Sequence, residues 1–232
     1  MNFLGNISIA GAAWVLLLVS CGYSVIEVGL LETVFHLVSL TAEIPSGVFA
    51  DVFGRKKSLL LSCVCSIIAA VTRIIWISSF WGVAFSIGFN ALSYNFASGS
   101  DSALAYDTLK EHNKQDDYDR YISTQTMIYR ISNGAATLAA GVAVMLGNTN
   151  AHIISIILAA IQILVAVTLK ENKVIDDNSD KEFTTRVKDT VSESFMFLKG
   201  NRKVAGLIFR NALIGAIDIL LLFFLQAKLP LT

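Results

Sequence analysis

The stretch Gly47-Val-Phe-Ala-Asp-Val-Phe-Gly-Arg-Lys-Lys57 decides how this chain folds. It places one carboxylate, a glycine and three consecutive cations between two apolar runs, about 28 to 50 and about 58 to 77. Crossing a bilayer takes roughly 20 apolar residues in a helix. Each flanking run is long enough, and the interval leaves room only for a tight connection between two membrane-spanning helices.

Working outward, similar apolar runs lie at about 3 to 20, 81 to 106, 122 to 146, 151 to 169 and 204 to 227, which makes seven candidate spans in 232 residues. Hydrophobic residues make up 54% of the chain, and 18 Lys plus Arg balance 18 Asp plus Glu, so no net field attracts nucleic acid. No strand-like alternation with hairpin turns recurs, which argues against an outer-membrane barrel. Metal-ligand spacing, an activated nucleophile and a glycine-rich phosphate loop are missing from the sequence, so neither an enzyme nor a cofactor or metal site is expected. Cys63 and Cys65 stand two apart on one expected helix, where their side chains diverge, and they read with Cys21 as small apolar helix residues. Leu18-Val-Ser-Cys21 matches a lipoprotein cleavage pattern, but a secretory signal needs a basic start and the first basic residue is Arg55. The first run therefore reads as a transmembrane helix.

Alternating seven helices across a bilayer puts residues 51–57, 107–121 and 170–203 on one side and 21–27, 78–80 and 147–150 on the other. Arg55, Lys56, Lys57, Lys110, Lys114 and Arg120, with every basic residue of the 170–203 linker, fall on the first side; the opposite loops hold none. Cations accumulate on the cytoplasmic face, so the first side and the N-terminus are expected in the cytoplasm, with the protein in the plasma membrane. Trp76 and Trp81 flank the outer turn between the third and fourth spans, where amphipathic rings favour the interface.

Three regions follow: a six-helix bundle over residues 1–169, a cytoplasmic linker over 170–203, and a further span within 204–232. In the linker Phe183, Val187, Val191, Phe195 and Leu198 recur at helical spacing, which predicts an amphipathic helix. Small residues at Ala97, Gly99, Ala103, Gly134, Ala135, Ala139, Ala140 and Gly141 suggest close backbone approach between helices. In the loop, Gly54 can adopt the positive φ of a sharp turn, and Gly47 removes bulk where the helix end packs against neighbours. Asp51 can either accept hydrogen bonds from the free amides of the next helix or pair with Arg55. Arg55, Lys56 and Lys57 hold the loop beside anionic headgroups.

This loop resembles the signature between helices two and three of the major facilitator superfamily: glycine, three residues, aspartate, two residues, glycine, arginine and a second basic residue. Gly47, Asp51, Gly54, Arg55 and Lys56 match, while Val52 stands where a basic residue is usual. The flanks Glu43-Ile-Pro-Ser-Gly47 and Ser98-Gly-Ser-Asp-Ser-Ala-Leu-Ala-Tyr-Asp107 resemble a bacterial branch of efflux-type members. The resemblance implies an all-α integral membrane fold whose N-terminal six-helix bundle is two three-helix inverted repeats, followed here by a seventh helix. It implies a secondary transporter moving a small solute by alternating access, with efflux as a direction and protons as a coupling ion. It also implies a latch role for the loop aspartate against a helix of the C-terminal half. That half would be supplied in cis or in trans, residues 204–232 being the first helix of an incomplete second bundle. The alternative is a truncated or accessory membrane module without transport activity of its own. The arginine and Gly-Pro patterns of proton-driven drug antiporters are absent.

Ionisable residues inside spans are functional candidates. Glu43, Asp101 and Arg130 lie roughly 9 to 14 Å from the inner ends of their runs at about 1.5 Å per helical residue, and they are expected to cluster. The resemblance places the second, fourth and fifth helices along the central path, so these three either meet solute or protons, or Asp101 and Arg130 simply neutralise each other. Glu32 and Arg73 are expected to pair near the outer ends of their helices or to snorkel. His36 reads as a packed polar residue, Arg210 as a snorkelling cation, Asp218 as a central charge in need of a partner, and Gln226 as a polar group near the outer end.

Overall fold

A computed structural model describes residues 14–138, 140–169 and 182–228. Among these residues the chain is helical throughout, with no strand: α1 Trp14–Ser20, α2 Val25–Phe53, α3 Arg55–Ile75, α4 Phe80–Ala97, α5 Ser100–Glu111, α6 Tyr118–Leu138, α7 Ala140–Thr168, α8 Phe183–Gly200 and α9 Arg202–Lys228. A 3₁₀ turn at Gln115–Asp117 leads into α6. Four stretches, Val25–Phe53, Arg55–Ile75, Gly141–Thr168 and Arg202–Leu221, are long and apolar enough to cross a bilayer.

Local chemistry sets the helix ends. Ser24 caps α2 in a reciprocal capping box with Glu27, a signal present in the sequence as Ser-x-x-Glu before an apolar run. Pro45 lies inside α2, where it removes one helical hydrogen bond, a loss that neighbouring helices and local side chains offset in membrane helices. Between α2 and α3 only Gly54 is non-helical, at φ 104°, ψ 144°. The expected turn is thus a single residue, in a region that glycine alone occupies at low cost.

Two expected spans differ from their sequence reading. The run 81–106 is broken: α4 ends at Ala97 and α5 begins at Ser100, with Gly99 at φ 75° between them. A residue with positive φ cannot continue a right-handed helix, and glycine adopts it without a Cβ clash. The run 122–146 is met by α6 and the start of α7, and the turn expected over 147–150 contracts to Gly147, at φ 78° and ψ 164° inside α7. The first run is described only from Trp14 onward.

The bundle is held by apolar packing and by hydroxyl stitches. Val15 and Leu18 of α1, Val28 and Leu31 of α2, and Val83, Ala84 and Ile87 of α4 form one buried cluster. Leu17 meets Ala143 and Ala151 of α7 in a second. Along the α3–α4 interface Ser58 donates to the Phe96 carbonyl (2.7 Å), Ser62 to the Ser93 carbonyl (2.7 Å) and Ser86 back to the Ala69 carbonyl (2.7 Å). Between α2 and α4, Ser39 Oγ donates to Asn95 Oδ1 (2.7 Å) while Asn95 Nδ2 donates to the Ser39 carbonyl (2.6 Å). Small hydroxylated residues allow close helix approach and supply the hydrogen bonds that hydrocarbon cannot. The outer face is apolar, with Ile26, Leu40 and Trp81 each more than three-quarters exposed, the reverse of a water-soluble bundle. Trp76, which follows α3 at the turn into α4, is also exposed.

Helix α8 forms in the linker where apolar spacing predicts one, and Phe183 reaches the ring of Phe53 at the end of α2 (6.3 Å between centroids). Lys170, Lys173 and Lys181 of the linker lie outside the described residues. Cys63 and Cys65 are buried free thiols, and Cys21 is exposed.

Candidate functional site

The loop between α2 and α3 gathers three helix ends. Because α3 starts directly at Arg55, its first residues are cationic and lie beside the ends of α5 and α7. Arg55 Nη1 donates to Asp107 Oδ2 of α5 at 2.6 Å, and Arg55 Nη2 stands 4.0 Å from Asp51 Oδ1 one helical turn earlier. Lys56 Nζ donates to the carbonyls of Val167 (2.6 Å) and Leu169 (2.7 Å). The last turn of α7 carries no basic residue of its own, so a cation from α3 satisfies its terminal carbonyls and the negative end of its dipole.

Of the two roles open to Asp51, the structure has the pairing with Arg55; no side chain caps the start of α3. The Asp51 side chain remains 58% exposed, available to a further partner. Gly47 corrects an expectation: a Cβ there would meet nothing within 4 Å, so among the described residues no helix approaches it closely. The same holds for Gly99, Gly134 and Gly141, and Gly99 acts through its backbone conformation instead. The close approach occurs at Gly82, where a Cβ would collide with the Trp76 side chain.

Sequence reading missed Asp107 as the partner of Arg55 and the two carbonyls as partners of Lys56. The available signals were the acid that directly follows the fourth run and a helix C-terminus lacking its own cation.

Glu43, Asp101 and Arg130 are not joined to one another by any hydrogen bond or ion pair among the described residues. Asp101 sits in the first turn of α5, where the helix dipole favours a carboxylate, and its Oδ2 accepts from Gln125 Nε2 of α6 at 2.9 Å. The break at Gly99 sets this arrangement, because it makes Asp101 an N-terminal residue rather than one deep within a continuous span. Glu43 and Arg130 are both exposed on the bundle surface.

The expected Glu32–Arg73 pair is also replaced. Glu32 Oε1 pairs with His36 Nε2 one turn along α2 (3.2 Å). Arg73 is buried, and its Nε donates to Ser86 Oγ at 3.0 Å. Both residues line one half-open cavity of the bundle without forming an ion pair. The side chains of Asp218 and Gln226 lie outside the described ones. No cluster of His, Cys, Asp and Glu suited to a metal occurs among the described residues.

A family model described as the Major Facilitator Superfamily matches residues 1–229. An uncharacterized MFS-type transporter, YxaM, of Bacillus subtilis (strain 168) is 42% identical over 55 residues, covering 24% of this chain and 14% of that protein. The matched stretch is therefore a small part of that relative's length. No solved structure matches the chain.

Proposed function

The chain belongs to the major facilitator superfamily and is a multi-pass membrane protein, and from that premise we propose that it serves as a secondary transporter of a small solute by alternating access. The observation that carries this reading is the α2–α3 loop. One glycine reverses the chain, Arg55 and Lys56 tie the start of α3 to α5 and α7, and Asp51 stays largely uncovered. A joint that fastens three helix ends and leaves one carboxylate outward suits a rocking unit: the bundle moves as one body while Asp51 makes and breaks a contact with a facing unit.

In this reading the loop faces the cytoplasm of a plasma membrane, as the sorting of Lys and Arg argues. Glu43 and Arg130, exposed on the bundle, and Asp101, held by Gln125, are the charges assigned to the solute or proton path. Solute, proton and lipid are the partners, with no enzymatic step.

A second reading is favoured by one observation. Among the described side chains of Arg202–Leu221 none is buried, so α9 has an apolar surface suited to a complementary helical unit, in cis or in trans. The chain would then be a module that transports only when that unit is present.

Purified chain in liposomes with an entrapped pH dye, under an imposed pH gradient and offered a panel of organic cations and carboxylates, tests the first reading. Solute-triggered proton movement with at least one solute is expected. No movement with any solute, in either gradient direction, overturns transport by this chain alone.

A further inference from the structure

A half-open cavity of about 240 Å³ lies between α1, α2, α3, α4 and α7, away from the α2–α3 loop. On this measure one water needs only about 10–15 Å³, so the space is ample for a small organic solute. Its wall includes Glu32, Ser66, Arg73, Asn90, His152 and Ser155, an unusually polar set for the interior of a membrane bundle.

Arg73 is the central feature. It is 6% exposed, and among the described residues no acidic side chain pairs with it. Its Nε donates to Ser86 Oγ, whose single proton goes to the Ala69 carbonyl, so the guanidinium is fixed in orientation. The two Nη groups, four of the five N–H donors, make no hydrogen bond to a described residue. A buried cation costs several kcal/mol unless an anion compensates it. Glu32, the acid on the same wall, has Oε1 turned along its own helix to His36.

The acceptors are equally defined. His152 Nδ1 lies 2.8 Å from the Asn148 carbonyl, and a carbonyl only accepts, so Nδ1 carries the proton. In the neutral ring, Nε2 is then a free acceptor. The second carboxylate oxygen of Glu32 is another.

We propose that this cavity binds a small amino or hydroxy carboxylate, its carboxylate held at two points by the Arg73 Nη groups, with an ammonium donating to both His152 and Glu32 or a hydroxyl donating to one of them. The two-point geometry is the one in which arginine holds carboxylates best. This site goes beyond the transport reading and needs no flux to be tested.

Trp14 lines the cavity, so its fluorescence reports occupancy. Full-length protein in detergent is titrated with β-alanine, with propionate as the carboxylate alone and with propylamine as the amine alone. β-Alanine should give a saturable change, propionate the same change at about tenfold higher concentration, and propylamine none. Arg73→Lys keeps the charge but loses the fork and should weaken β-alanine at least tenfold. Ser155→Leu, which fills the cavity from α7 and leaves Arg73 itself unchanged, should abolish the response while the protein still elutes as a single species. No saturable signal with either carboxylate, a response to propylamine alone, or wild-type titration in both variants overturns the proposal.

Discussion

Replacing Arg55 by Gln and Asp107 by Asn, singly and together, measures the clamp that ties α3 to α5. The bond is short at 2.6 Å, and the side chains are 23% and 31% exposed. A hydrogen bond to a charged group contributes about 1.5–3 kcal/mol. Partial exposure lowers this toward the ~1 kcal/mol of solvent-screened pairs. A coupling energy of about 1–2 kcal/mol is therefore expected from the double-mutant cycle. Arg55→Gln should cost slightly more than Asp107→Asn, because it also releases the 4.0 Å contact with Asp51, worth at most about 0.5 kcal/mol for an i,i+4 pair. Equilibrium unfolding of the four proteins in mixed micelles, followed by tryptophan fluorescence, gives the four free energies. Additivity within about 0.3 kcal/mol would refute the clamp, since residues in direct contact should not behave as independent sites.

Gly54→Ala forces a side chain into φ 104° and should destabilise by about 1–3 kcal/mol, read as a lowered unfolding midpoint; no change would mean the turn tolerates another conformation. Asn95→Leu removes both hydrogen bonds to Ser39 and should cost about 1 kcal/mol, at roughly 0.6 kcal/mol per interhelical bond in membranes. In a Cys21→Ser background, a cysteine at Lys57 should react with an impermeant maleimide only after cells are opened, and one at Ser78 in intact cells. The opposite pattern would invert the proposed topology.

What the sequence made legible was local. The positive φ of Gly54 between two apolar runs and the helix over the periodic residues from Phe183 each depend on near neighbours, and both are present in the structure. The break at Gly99 was hidden because hydropathy averages across Ala97 to Ala103, whereas the conformation turns on one φ angle. Pairings between helices were hidden by distance along the chain: Arg55 and Asp107 are 52 residues apart, Lys56 and Val167 are 111. Similar depth in a bilayer fixes one coordinate and leaves helix rotation open, which is why Glu32 and Arg73 share a cavity wall without pairing. The same freedom leaves Asp101 with Gln125 rather than Arg130.

In the proposed transport cycle the loop carboxylate Asp51 makes and breaks a contact with a facing unit. Asp51 is mostly exposed and its contact with Arg55 is at the limit of an ion pair, so Asp51→Asn should leave stability within about 0.5 kcal/mol of wild type. Solute flux into liposomes carrying equal amounts of wild-type and Asp51→Asn protein is the direct measurement. Robust flux in the wild type, reduced tenfold or more in the variant at unchanged unfolding midpoint, is the predicted result. Equal flux in the two, or none in either, would contradict the claim.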